Sequence, residues 1–83
     1  MTGLQKRAIE LVESRNGMKG VELSATLATE FLSVRADDMM GQLFDLIYKG
    51  ELVEVEYELP TMNYRTKSFL LPKGTTVNVI QRG

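Results

Sequence analysis

Gly50-Glu51-Leu52-Val53-Glu54-Val55-Glu56-Tyr57-Glu58-Leu59 is where the chain changes its period. Upstream, apolar residues recur every three or four positions, the spacing of a helix with one buried face. Here they alternate with charge, the spacing of a half-buried strand. The alternation predicts a strand over 52–59, with Val53, Val55, Tyr57 and Leu59 inward and Leu52, Glu54, Glu56 and Glu58 outward. Pro60-Thr61-Met62-Asn63 has the composition of a turn, and a second strand is expected over 64–71. With 60–63 as the tip, Leu59 faces Tyr64, Glu58 faces Arg65 and Glu56 faces Lys67. The inner pairs are then Tyr57 with Thr66, Val55 with Ser68 and Val53 with Leu70. Each opposite-charge pair contributes about 0.2–1 kcal/mol and helps fix the register. Pro72-Lys73-Gly74 closes the hairpin, and Val77 to Ile80 reads as a short third strand or a docked tail.

Three helices are expected before Gly50. The first runs over about 3–14 with Thr2 as N-cap; Leu4, Ala8, Leu11 and Val12 share a face, and Asn16-Gly17 is a stop. The second runs over about 21–32 on a stripe of Leu23, Leu27 and Phe31, with Ala25 and Ala28 small enough to let a neighbouring helix approach. The third runs over about 34–49 with Ser33 as N-cap. Its stripe is Ala36, Met40, Leu43 and Ile47, widened by Met39, Phe44 and Leu46; Met39 and Tyr48 lie at its edges, with Met39 read as core and either one, where exposed, as part of a self-association surface. Asp37 and Asp38 in its first turn and Lys49 in its last suit the helix dipole. A lone two-stranded ribbon is marginal in water, so the hairpin needs the helical stripes as its partner.

Composition narrows the chemistry. The 83 residues make one small domain, 43% apolar, with 10 basic and 11 acidic residues and a net charge of −1. There is no cysteine and no histidine, which excludes disulfides, zinc–thiolate sites and the commonest general base. The longest uninterrupted apolar runs are three residues, as at Phe69-Leu70-Leu71, too short for a secretory or membrane-spanning segment, so a cytoplasmic location is expected. Lys73-Gly74-Thr75-Thr76 lacks the upstream glycine and the glycine–lysine order of a phosphate loop. Glu54, Glu56 and Glu58 form a straight ladder rather than a concave cation site. No enzyme activity, cofactor, metal or small-molecule substrate is expected.

Three helices and a hairpin in this order resemble a winged helix-turn-helix domain. The resemblance rests on Glu22-Leu23-Ser24-Ala25-Thr26-Leu27-Ala28, similar to the first helix of a helix-turn-helix, and on Leu46, Gly50, Leu52 and Val53, similar to the passage from recognition helix to wing. It covers roughly residues 3–72 and implies an α+β fold with a C-terminal β-hairpin wing. It also implies a small DNA-binding transcriptional regulator of phage type, its third helix in the major groove of double-stranded DNA. Carried onto this chain, Arg35, Asp38, Gln42, Asp45 and Lys49 face the groove, with Gln42 and Arg35 at base edges and Lys49, Arg65 and Lys67 on phosphates.

Local charge points elsewhere. The third helix carries Arg35 and Lys49 against Asp37, Asp38 and Asp45. Each carboxylate held roughly 8 Å from a phosphate costs about 0.5 kcal/mol through water. DNA binders gain affinity by releasing counterions through many cations. Arg65 and Lys67 read more simply as partners of Glu58 and Glu56. Lys6, Arg7, Arg15 and Lys19 read as a solvated face, with Lys6 and Glu10 as an i, i+4 pair. Many members of the resembled family bind proteins instead. On that reading Asp38, Gly41 and Asp45 form a protein-interaction surface, and Gly41, a weak helix former on the polar face, either admits a partner backbone or is a neutral accident. A third reading is an assembly subunit that forms a homodimer by pairing the tail 77–80.

Overall fold

The computed structural model describes residues 1–58 and 66–76. Within them the fold is α+β: three helices and a three-stranded antiparallel sheet, in the order α1 (Gly3–Arg15), β1 (Met18–Lys19), α2 (Gly20–Glu30), α3 (Ala36–Tyr48), β2 (Leu52–Glu58) and β3 (Thr66–Pro72). The sheet order is β1-β3-β2. The expected turn at 60–63, Leu59, Tyr64, Arg65 and the tail 77–80 lie outside the described residues.

Local chemistry sets the helix ends. Thr2 caps α1: its Oγ1 accepts from the Gln5 backbone N–H at 3.2 Å, and Gln5 Oε1 accepts from the Thr2 N–H at 2.9 Å. This reciprocal box satisfies two donors that the first turn leaves unpaired. At the other end Asn16 adopts φ 53°, and the Gly17 N–H reaches back to the Val12 carbonyl at 2.9 Å. The α3 terminus closes the same way, with Gly50 at φ +77° and the Glu51 N–H on the Leu46 carbonyl at 2.9 Å. Two boundaries differ from expectation. α2 ends at Glu30, before Leu32, which is exposed. α3 begins at Ala36, and its N-cap is Arg35, extended and without a side-chain cap bond, rather than Ser33.

β1 is a two-residue strand that the sequence reading missed. Met18 pairs with Leu70 and Lys19 with Phe69, which ties the α1–α2 connection to the hairpin. The core gathers one stripe from each element: Leu4, Ala8, Leu11 and Val12 from α1, Met18 from β1, Leu23 and Leu27 from α2, Met39, Leu43 and Leu46 from α3, Leu52 from β2 and Leu70 from β3. Ala25 and Ala28, expected at a close helix contact, are exposed instead, because Leu23 and Leu27 turn the other side of α2 inward.

The hairpin corrects two expectations at once. Its register runs from Leu52↔Pro72 to Glu58↔Thr66, so Val53 faces Leu71, Val55 faces Phe69, Glu56 faces Ser68 and Tyr57 faces Lys67. The expected pairs Val53–Leu70, Val55–Ser68, Glu56–Lys67, Tyr57–Thr66 and Glu58–Arg65 are each displaced by one residue. The inward face is reversed as well. Leu52 and Leu70 are 1% and 2% exposed, whereas Val53, Val55 and Tyr57 share the opposite face with Phe69 and Leu71. The root of the hairpin decides this. Leu52 enters the core two residues after the Gly50 closure, opposite a strand that must also seat Leu70 against Met18. Side chains alternate strictly, so fixing Leu52 inward sends every odd-numbered residue of β2 outward. The outward apolar residues cover one another and the backbone of Gly17, whose φ of +123° and closeness to the Phe69 ring suit glycine alone. Glu54, on the helix side, accepts a hydrogen bond from Ser68 Oγ at 3.1 Å.

Candidate functional site

α3 carries two apolar stripes, and only one meets the core. Met39, Leu43 and Leu46, at i, i+4 and i+7, are buried. Met40, Phe44 and Tyr48, at i, i+4 and i+8, are 43%, 56% and 92% exposed. Met40 and Phe44, expected in the core, are therefore surface residues, rotated out because the Met39 stripe points at α1 and α2. Ala36 is exposed and Ile47 half-buried. Met39 is core, as expected.

Phe44, at the centre of the exposed stripe, borders two apolar depressions. One, about 410 Å³, lies between the first turn of α2, α3 and the sheet, with Val21, Met40, Phe44, Ile47, Glu54 and Lys67 in its lining. The other, about 470 Å³, lies along α3 itself at Gly41, Phe44, Asp45, Ile47 and Tyr48. Val21 is exposed like its neighbours, so the apolar surface passes from α3 onto α2. Gly41 lies at the edge of the stripe, one turn before Phe44 and Asp45, and a Cβ built there would meet nothing within 4 Å.

The opposite flank of α3 is polar and occupied. Gln5, buried at the start of α1, donates from Nε2 to the Gln42 carbonyl and to Asp45 Oδ2, each at 3.1 Å. Thr2 Oγ1 donates to Gln42 Oε1. Lys49 Nζ lies 3.1 Å from Asp45 Oδ2. The Lys49 ammonium first, and the Gln5 amide second, hold the Asp45 carboxyl below its ordinary value.

Among the described residues, the expected contact residues divide between the two flanks of α3. Arg35 precedes α3 and lies 3.7 Å from Asp37. Gln42 is bonded to α1 and Lys49 to Asp45, on one flank of the helix. Lys67 lies at the cleft on the other flank. Arg65 lies outside the described residues. Of the interaction residues, Asp38 and Gly41 are exposed and Asp45 is half-buried. Glu10, expected opposite Lys6, is bound by Arg7, which spans Glu10 at 2.9 Å and Glu30 at 2.8 Å and so clamps α1 to α2. The Arg7 bond is the main cause lowering the Glu30 carboxyl.

Met40, Phe44 and Val21 are the site residues that sequence reasoning missed, while Tyr48, expected at the edge of the α3 stripe, is exposed. A signal for them was present: Phe44 and Tyr48 share a helix face with Gly41 and Asp37, poor company for a buried stripe. The arrangement is an apolar strip with the carboxylates of Asp37, Asp38 and Asp45 beside it. No helix among the described residues is long and apolar enough to cross a membrane. Comparison with protein-family models, with curated proteins and with solved structures found no match.

Proposed function

We propose that the chain is a winged-helix interaction domain that docks on another protein through the outward face of α3. The order α1-β1-α2-α3-β2-β3, the sheet order β1-β3-β2 and the short turn between α2 and α3 support the winged-helix reading. On it, α3 is the presenting helix and the β2–β3 hairpin the wing.

The exposure of Phe44 and Tyr48 carries the functional reading. Apolar side chains clustered on one exposed face mark surfaces that another molecule covers. In a DNA groove this face would set Met40, Phe44 and the Asp37 and Asp38 carboxylates against phosphates, while Lys49 already neutralises Asp45. A protein surface with an apolar centre and lysine or arginine at its edge complements it, since aromatic anchors at the centre and charge at the rim are how such contacts are built.

A photo-reactive benzoylphenylalanine in place of Phe44, irradiated in cells producing the chain, tests the reading, with exposed Glu13 as the control position. The expected result is a covalent protein adduct from position 44 and none from position 13. Recovery of only the free chain from position 44 overturns it, as does saturable, salt-sensitive binding of duplex DNA at about 50 mM salt that is lost on Arg35→Ala plus Lys49→Ala.

A further inference from the structure

We infer that the protein covering this face is a second copy of the chain, with α3 lying antiparallel against α3 across a twofold axis near Leu43 and Phe44. The inference rests on the docking reading above and names its partner.

Gly41 is the first argument. Glycine is the poorest helix former after proline. Here its φ is helical, not positive, and a side chain would meet open space. Nothing inside the fold asks for glycine at this position. A close approach from outside does, because a missing Cβ lets a partner side chain or backbone reach the helix axis. The depression along α3 is lined by Gly41 together with Phe44 and Tyr48.

Symmetry supplies the second. When two identical helices pack antiparallel about a twofold axis, each flank meets the same flank of its partner, and the interface must complement itself. One flank of α3 carries Asp38 near its start and Lys49 at its end; the other carries Met40 and Ile47. Antiparallel packing sets Asp38 against Lys49 of the second copy and Met40 against its Ile47, twice each. The same alignment brings Phe44 over Gly41 of the second copy with an offset of two residues, about 3 Å along the axis, which a ring spans. A parallel pair would set the charged flank against the apolar one. Antiparallel packing also opposes the two helix dipoles favourably. Lys49, now 3.1 Å from its own Asp45, would lie between Asp45 and the second copy's Asp38.

One helix face buries little area, and interfaces of that size are weak, so association is expected over about 10–500 µM chain. Sedimentation equilibrium of the full chain reads it directly. We expect a concentration-dependent dimer whose dissociation constant rises at least tenfold in Phe44→Lys and in Gly41→Leu. Asp38→Lys alone should also weaken it, and Asp38→Lys combined with Lys49→Asp should recover it to within about threefold, since the swap restores an opposite-charge pair. Far-UV circular dichroism confirms that each variant is folded. All four positions are on the surface or at its edge, so folding is expected to survive. A monomer across the whole range overturns the inference, and so does a dimer indifferent to Phe44→Lys and Gly41→Leu. A monomer whose position 44 still cross-links to a different protein removes the second copy and leaves the docking reading standing. A monomer with no adduct removes both.

Discussion

Replacing Leu52 by alanine tests which face of the hairpin holds the fold. Leu52 is 1% exposed and belongs to the same buried cluster as Met18, Leu46 and Leu70. Truncating a buried leucine removes its transfer free energy and leaves a cavity, costing about 2–5 kcal/mol. We take about 3 kcal/mol, because Leu52 lies at the entry to the sheet, where the Gly50 turn can relax. An 83-residue domain is stable by roughly 4–12 kcal/mol in total. Leu52→Ala should therefore remove a quarter or more of that and lower the melting midpoint by about 12–24 °C. Val53→Thr and Val55→Thr keep the β-branch and exchange a methyl for a hydroxyl on the outward face. Each should cost under about 1 kcal/mol, since a half-exposed hydroxyl keeps its water. Urea and thermal unfolding followed by circular dichroism give all three values, with the urea slope as a check that the unfolded state is unchanged. If Val55→Thr costs as much as Leu52→Ala, the alternating apolar residues face the helices after all, and Leu52 does not mark the inward face.

Three further outcomes follow from named contacts. Gly17→Ala should destabilise by about 2–4 kcal/mol in urea unfolding, since a Cβ there lies 2.7 Å from Phe69 Cε1 on a backbone at φ +123°, and Phe69→Leu should restore only the steric part. Gly41→Ala, measured on dilute monomer, should raise stability by about 0.8–1 kcal/mol, and a fall in the melting midpoint would show an internal contact that the open space at Gly41 does not contain. Glu30, lowered from 4.5 by Arg7, contributes stability that is whole above that value and lost as pH falls through the lower folded value. Thermal melts from about pH 7 to about pH 2.5 should therefore show Glu30→Gln less stable than the parent at neutral pH, with the gap closing in acid.

The helices were legible because each carries its own punctuation. Thr2, Asn16-Gly17 and Gly50 act locally, through backbone groups within five residues, and all three do what their chemistry suggests. β1 was not legible, since two residues have no period and Met18 finds its partner, Leu70, fifty-two positions away. Ser33 failed as a cap for a different reason: Phe31 and Val34 pack against the core, and holding both draws the start of α3 to Ala36. The candidate site was legible only as a contrast of charges. Asp38, Gly41 and Asp45 stand out on the polar face and Tyr48 at the edge of the apolar stripe, whereas Met40 and Phe44 read as core despite sharing the surface with Gly41 and Asp37.

The reversed hairpin and the rotated third helix share one cause. β2 offers apolar residues on both faces, and α3 offers two apolar stripes forty per cent of a turn or less apart. Periodicity ranks such faces by how many apolar residues each holds, and in both elements it points the richer or wider face inward. Packing ranks them by position instead. Leu52 is held by the turn that ends α3, and Leu43 by the helices on either side, so the faces containing them go in whatever else they carry. A domain this small has little interior to share out. Apolar residues left over by that choice must either cover one another or wait for something to cover them. Val53, Val55, Tyr57, Phe69 and Leu71 do the first, laid across two strands and the Gly17 backbone, and all are half-buried. Met40, Phe44 and Tyr48 do not: they stand on a single convex helix, with carboxylates beside them and a glycine where a side chain would have fitted. The difference between those two surplus sets, rather than exposure alone, is what supports the proposed docking at α3.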